Sequence, residues 1–174
     1  MKSQKKRNKK RGFSLIELLI VVAIILIIAA IAIPNLLRSR IAADEASAVG
    51  SLRTLNTAEI TFNTTYPNVG FACSLAMLGP PASGQSASSN AAGLIDSNLS
   101  GGVKSGYSFT LLSSTCAPAN GIKTTYDYGA QPVSPGVTGS RYFCTDLSGV
   151  IQYNAATSGA FTDNSGVCTT GTPL

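Results

Sequence analysis

The chain has 174 residues and a formal charge of +5. Seven of its thirteen Lys and Arg lie between Lys2 and Arg11, so the remainder carries six cations against eight acids, and its net charge is −2. That excludes a basic body shaped to grip nucleic acid, which needs Lys and Arg spread over a folded face, and the absence of His excludes a His-based triad, a His general base and a His-ligated metal.

Residues 1–12 (MKSQKKRNKKRG) are basic and hydrophilic. The run FSLIELLIVVAIILIIAAIAIPNLL follows, and from Leu18 to Ile33 every side chain is apolar. As a helix, Phe13–Leu37 spans about 37 Å at ~1.5 Å per residue, enough to cross a hydrocarbon core of ~30 Å. Cations on its N-terminal side keep that end in the cytoplasm by the positive-inside rule.

Two plain readings compete for this segment. One is a secretory signal with small residues such as Ala30 and Ala32 at its cleavage site, and the other is a simple signal anchor. Neither explains Glu17, because a carboxylate inside an apolar run costs roughly 2.5–3.5 kcal/mol at mid-bilayer. A cut after Gly12 would expose an α-ammonium on Phe13, four residues from Glu17, and the two charges would neutralise each other where the dielectric is low.

Pro34 lacks an N–H and is expected to kink or loosen the helix. Beyond it the pattern turns amphipathic: Leu37, Ile41, Ala48, Leu52, Leu55 and Phe62 share one face. Their plain role is core packing of the helix on its own head. Arg40 and Asp44 stand at i,i+4 as a weak solvent-side pair. The pattern ends at Asn63-Thr64-Thr65-Tyr66-Pro67, which makes one helix of about 50 residues at helical spacing, with Gly50 as a soft point. Its first half has no partner inside its own chain and must bury itself in lipid or against copies of itself.

After Pro67 the composition shifts. Gly79–Asn90 is low-complexity and reads as a surface loop. Ala91–Leu99 reads as a short helix before Gly101-Gly102. Strand-like runs follow at Tyr107–Leu112, Thr124–Tyr128, Arg141–Thr145 and Val150–Tyr153, with Asp146–Gly149 as a hairpin connection. The expected fold is α+β: one long helix, half transmembrane and half amphipathic, packed on a small antiparallel sheet of about four strands.

Cys73, Cys116, Cys144 and Cys168 form no CxxC pair. An even count in a Ser-, Thr- and Gly-rich chain reads as two disulfides made in an oxidising compartment. The sequence does not choose among the three connectivities; nearest-neighbour pairing, Cys73–Cys116 with Cys144–Cys168, is the working expectation.

Gly12-Phe13-Ser14-Leu15-Ile16-Glu17, placed after a short basic leader and before an apolar run containing Pro34, resembles the class III signal of type IV prepilins and related pseudopilins. The likeness is specific from Gly12 to about Tyr66 and diffuse beyond. It implies cleavage between Gly12 and Phe13 by a prepilin peptidase, N-methylation of Phe13, and pairing of Glu17 with the Phe13 amine of an adjacent subunit. It also implies four segments: a leader at 1–12 that is removed, a transmembrane assembly helix at 13–36, an amphipathic half at 37–66, and a head at 67–174 whose disulfide-bounded loops face outward.

The function implied is structural. The chain would be a type IV pilin, by preference the major one, polymerising into a pilus that serves adhesion, twitching motility or DNA uptake. Its partners would be copies of itself, the peptidase and methyltransferase, an inner-membrane assembly platform, an outer-membrane secretin and the lipid bilayer. It would sit in the inner membrane as a single-pass precursor and outside the cell after assembly. The alternatives are a pseudopilin of a type II secretion system and a minor pilin or membrane-tethered adhesin.

The remaining signals are weak. Asn63-Thr64-Thr65 and Asn98-Leu99-Ser100 fit an N-glycosylation pattern that arises often by chance. Asp96, Asp127, Asp146 and Asp163 read as turn residues, with no calcium-loop spacing among them. Gly101–Gly106 lacks the order of a phosphate loop. Lys104, Lys123 and Arg141 offer at most a small basic patch for nucleic acid. No paired carboxylates and no nucleophile with a base are present, so neither enzyme activity, a metal nor a cofactor is expected.

Overall fold

The computed structural model describes residues 13–112, 121–155, 161, 168 and 171–174. The described residues divide into two units, one up to Arg38 and one from Ser39 to Leu174.

Helix α1, Leu15–Thr65, has 51 residues and runs through both Pro34 and Gly50 without a break. In the first unit all its large apolar side chains are exposed. In the second it buries Ala48, Leu52, Leu55, Ala58 and Phe62. The stripe inferred from spacing therefore forms the core from Ala48 onward, while Leu37 stays exposed. The same face also buries Glu45, Ser51, Asn56 and Glu59, which spacing of apolar residues did not register.

Two short helices follow, α2 (Leu75–Leu78) and α3 (Ser97–Ser100). The second is shorter than the expected Ala91–Leu99 because Asp96 starts it. The Asp96 carboxylate accepts from the N–H groups of Asn98 and Leu99, both at 3.0 Å, which is an N-cap rather than a plain turn. Residues 82–88 are exposed, as expected of the low-complexity loop.

The sheet has six strands, not four. They are β1 (Val103–Lys104), β2 (Tyr107–Leu111), β3 (Asp127–Pro132), β4 (Arg141–Asp146), β5 (Ile151–Ala155) and β6 (Thr172–Pro173), in the order β1-β2-β3-β4-β5-β6 with every neighbour antiparallel. The two strands that sequence reading missed are edges of two residues each, too short for alternation to show. They carry Lys104 and Pro173, residue types that blunt an edge against further pairing.

Strand β3 runs later than expected, through Gly129-Ala130-Gln131-Pro132, residues with little strand propensity. Gly129 pairs with Thr110 on one side and Cys144 on the other. A Cβ there would lie 2.8 Å from the Leu112 side chain, so a glycine is what lets this neighbour approach. The β4–β5 turn matches its expected place: Asp146 accepts from the Ser148 N–H at 2.9 Å, and Gly149 takes a φ of 72°.

One core lies between α1 and the sheet, where Tyr107, Phe109, Tyr128 and Phe143 meet Leu52, Leu55 and Phe62. A smaller one gathers Cys144, Phe161 and Cys168 with Leu112 and Tyr142.

Candidate assembly site

The first unit is built around the start of α1. Ser14 precedes the helix and Glu17 is its third residue. The Ser14 N–H donates to Glu17 Oε2 at 2.9 Å, and the Leu18 N–H returns to the Ser14 carbonyl at 3.2 Å. This is one arm of a capping box, S-x-x-E, in which the acid satisfies an N–H that the helix leaves unpaired. A negative charge in the first turn also interacts favourably with the helix dipole. Glu17 thus has a partner in its own chain. The Ser14-x-x-Glu17 spacing was legible in the sequence and was obscured by reading the segment only as a membrane span.

From Phe13 to Leu37 the large apolar residues are all exposed. By length and composition this helix is able to cross a membrane, and none of its most apolar stretch is buried within the chain. Pro34 lies inside it and deprives the Ala30 carbonyl of its helical donor. One residue on, the Asn35 side-chain amide donates to the Ile31 carbonyl at 3.0 Å, adding a hydrogen bond in the turn that proline weakens. Gly12, the residue before the expected cut, lies outside the described residues.

In the second unit, buried polar groups fasten α1 to the sheet. Glu45 accepts from the Ser140 N–H and from Arg141 Nε, both at 2.8 Å. Asn56 Nδ2 donates to Thr145 Oγ1 at 2.9 Å. Glu59, with no exposed surface, accepts from the Tyr128 hydroxyl and from the Ala72 N–H. Burial holds the Glu59 carboxyl above its ordinary range, against the pull of those two donors and of Lys123. The Tyr128 phenol is pushed well up by burial and by the neighbouring Glu59.

Cys144 and Cys168 are disulfide-bonded, with their Cα atoms 6.0 Å apart. The Cys168 N–H donates to Asp146 Oδ2 at 2.9 Å, so the carboxylate that shapes the β4–β5 turn also anchors the cystine. Cys73 is disulfide-bonded as well; Cys116 and Asp163 lie outside the described residues. Among the described residues no group of three or more His, Cys, Asp or Glu is placed to hold a metal.

The three head cations do not form a basic surface. Lys104 pairs with Asp96 at 2.8 Å and Arg141 with Glu45, while Lys123 is 3% exposed. Among the described residues Arg40 and Asp44 form no ion pair with each other; the adjacent Glu45 pairs with Arg141. Asn63 lies within α1 and Asn98 within α3.

Residues 7–33 match the family model of the prokaryotic N-terminal methylation motif. Over 54 residues the chain is 50% identical to the type IV major pilin protein PilA of Myxococcus xanthus strain DK1622. That stretch is 31% of this chain and 24% of the relative, so it spans about a quarter of the relative's length. No solved structure matches at a significant level. An exposed apolar helix headed by a capped acid, an antiparallel sheet on its second half and a methylation motif across its start define an α+β protein with a long apolar N-terminal helix. Within that class, the motif and the shared N-terminal stretch make this chain similar to type IV pilins.

Proposed function

We propose that this chain is the structural subunit, by preference the major one, of a type IV pilus. In this reading residues 1–12 are a leader, and a prepilin peptidase cuts between Gly12 and Phe13. Phe13 is then methylated on its new amine. Residues 13–36 span the inner membrane with the N-terminus in the cytoplasm until an assembly platform withdraws them into the fibre, which leaves through an outer-membrane secretin. Residues 37–66 and the head from 67 to 174 then lie in the extracellular filament.

The observation that carries this is the coincidence of the methylation motif at 7–33 with a helix whose most apolar stretch is not buried among the described residues. Such a helix is stable in lipid or against copies of itself and nowhere else. Transfer from one to the other is the physical content of assembly. Glu17 supplies the register. Its Oε2 is held by Ser14, and a carboxylate has sites for further donors, so Oε1 is available to the Phe13 ammonium of a neighbouring subunit. Because the hydrophobic effect is lost between helices in lipid, a charge pair in that setting decides which neighbour fits where.

The test is to shear surface fibres from cells and identify the bulk protein by mass spectrometry. The expected result is this chain as the main component, beginning at methylated Phe13. Short periplasmic assemblies in place of surface fibres would indicate a pseudopilin, and trace amounts at fibre tips a minor pilin. Adhesion, motility and DNA uptake would be properties of the assembled fibre, separable only by assays on cells.

A further inference from the structure

A buried acid on α1 and a buried lysine grip a single residue from both sides. Ala72 is completely buried. Its N–H donates to Glu59 Oε2 at 2.8 Å, and its carbonyl accepts from Lys123 Nζ at 3.1 Å. Lys123 also holds the preceding residues through its backbone, accepting from the Phe71 N–H and donating to the Val69 carbonyl, each at 2.9 Å. Gly70 lies so close that a Cβ would stand 2.0 Å from the Lys123 carbonyl oxygen. On the other side of Glu59, Tyr128 of β3 donates to Oε1. Residues 69–72 are therefore held by α1 and by Lys123 at once, with Tyr128 of β3 fixing the Glu59 carboxyl, and the next residue is Cys73.

Burying an acid and an amine is costly, and such buried polar groups are often no more stabilising than apolar residues of the same volume. What they do supply is uniqueness, because any shifted register of 69–72 would leave a buried polar group without its partner. We propose that the Glu59–Lys123 clamp on Ala72 is a pairing-fidelity device: it sets Cys73 in place before oxidation, so that this thiol meets one of the other three cysteines and not any of them. This does not depend on the pilus reading.

The chemistry is thiol–disulfide exchange. Two protein thiols and one glutathione disulfide give one protein disulfide and two glutathione thiols, through a mixed disulfide. The clamp takes no part in the bond changes; it is a positioning element.

The experiment refolds the reduced full-length chain in detergent with a glutathione buffer, quenches with an alkylating agent and maps the linkages by mass spectrometry. Wild-type chain is expected to recover its original Cys73 linkage in nearly every molecule. In a Glu59→Met, Lys123→Met, Tyr128→Phe variant that share should fall toward about one in three, the value for connectivities that compete equally. Glu59→Gln, which keeps an acceptor for Ala72, should pair like wild type. The same triple variant isolated with its original linkages should resist urea as well as wild type does. Faithful pairing in the triple variant overturns the proposal, as does a loss of fidelity matched by an equal loss of urea resistance. Should the triple variant not fold, hydrogen exchange on fully reduced wild type decides: a protected Ala72 amide supports the device, and an unprotected one overturns it.

Discussion

Glu45 on α1 and Arg141 at the start of β4 form a pair in which Nε donates to Oε2 at 2.8 Å and Nη2 lies 2.6 Å from the same oxygen. The guanidinium also lies 5.5 Å from the Phe143 ring centre and 5.3 Å from that of Tyr153. The Arg141 carbonyl accepts from the Tyr107 hydroxyl at 2.9 Å. One residue thus joins the helix, three strands and the aromatic core. The carboxylate is the buried partner, since its side chain is 7% exposed against 40% for Arg141.

Glu45→Ala should therefore cost about 2 kcal/mol, because the Ser140 N–H loses its acceptor while the half-exposed guanidinium turns to water. Arg141→Lys should cost less, about 1 kcal/mol, since it keeps a charge for Glu45 but gives up the planar stacking on both rings. Urea midpoints of the full chain in detergent measure both. An unchanged midpoint for Glu45→Ala would show that the pair adds nothing to the hold of helix on sheet.

Glu59 gives the fold a pH dependence whose sign follows from its environment. Burial raises its folded pKa above the ordinary 4.5, so the folded state holds a proton that the unfolded state has released. The associated stability is complete below the unfolded value and is lost as pH rises through the folded one. Glu59→Gln should remove that slope. The variant should match or exceed wild-type stability at pH 7 and lose its advantage near pH 4, which urea unfolding across that interval will measure. A steeper decline with rising pH in the variant would contradict the assignment to Glu59.

Gly70 and Gly136 separate backbone strain from steric contact. Both adopt positive φ, 82° and 81°. A Cβ at Gly70 meets the Lys123 carbonyl at 2.0 Å, whereas one at Gly136 meets nothing within 4 Å. Gly136→Ala should cost about 1 kcal/mol, the ordinary price of a left-handed alanine. Gly70→Ala should cost at least ~3 kcal/mol, since the strand-like contacts between 69–71 and Lys123 must open to admit the methyl. Equal losses would mean that the approach of these two segments is easily relaxed.

Much of this was legible in the sequence, for physical reasons that can be named. The long helix was visible because its apolar stretch is continuous and its second half repeats at helical spacing. Tyr107, Phe109 and Leu111 alternate with Ser108 and Thr110, so β2 announced itself. The second half of β3 did not, because Gly129 is there for the approach of Leu112 rather than for any strand preference. The buried charges were the least legible. Glu45, Glu59 and Lys123 each look solvated in one dimension, and only their distant partners Arg141, Tyr128 and Ala72 explain them. At the N-terminus the difficulty was the reverse: Glu17 looked anomalous in a greasy run until Ser14 supplied an ordinary local role for it.

That local role makes the effect of Glu17 divisible. A helix cap of this kind contributes about 1 kcal/mol, and a neutral amide oxygen can still accept from the Ser14 N–H. Glu17→Gln therefore keeps the cap and removes the charge, while Glu17→Ala removes both. If pairing with a neighbour's ammonium drives polymerisation, both variants should insert into the membrane and be cleaved at Phe13, yet yield at least about tenfold fewer sheared fibres, the equivalent of ~1.4 kcal/mol or more per subunit contact. The alanine variant should add only a small helix-fraying effect at residues 14–18, visible as faster amide exchange there. If the cap is instead the main role of Glu17, Gln will assemble like wild type and Ala alone will fail. Fibre yield together with the N-terminal mass of the membrane-held subunit distinguishes the two, because a defect in cleavage appears in the mass and a defect in assembly only in the yield.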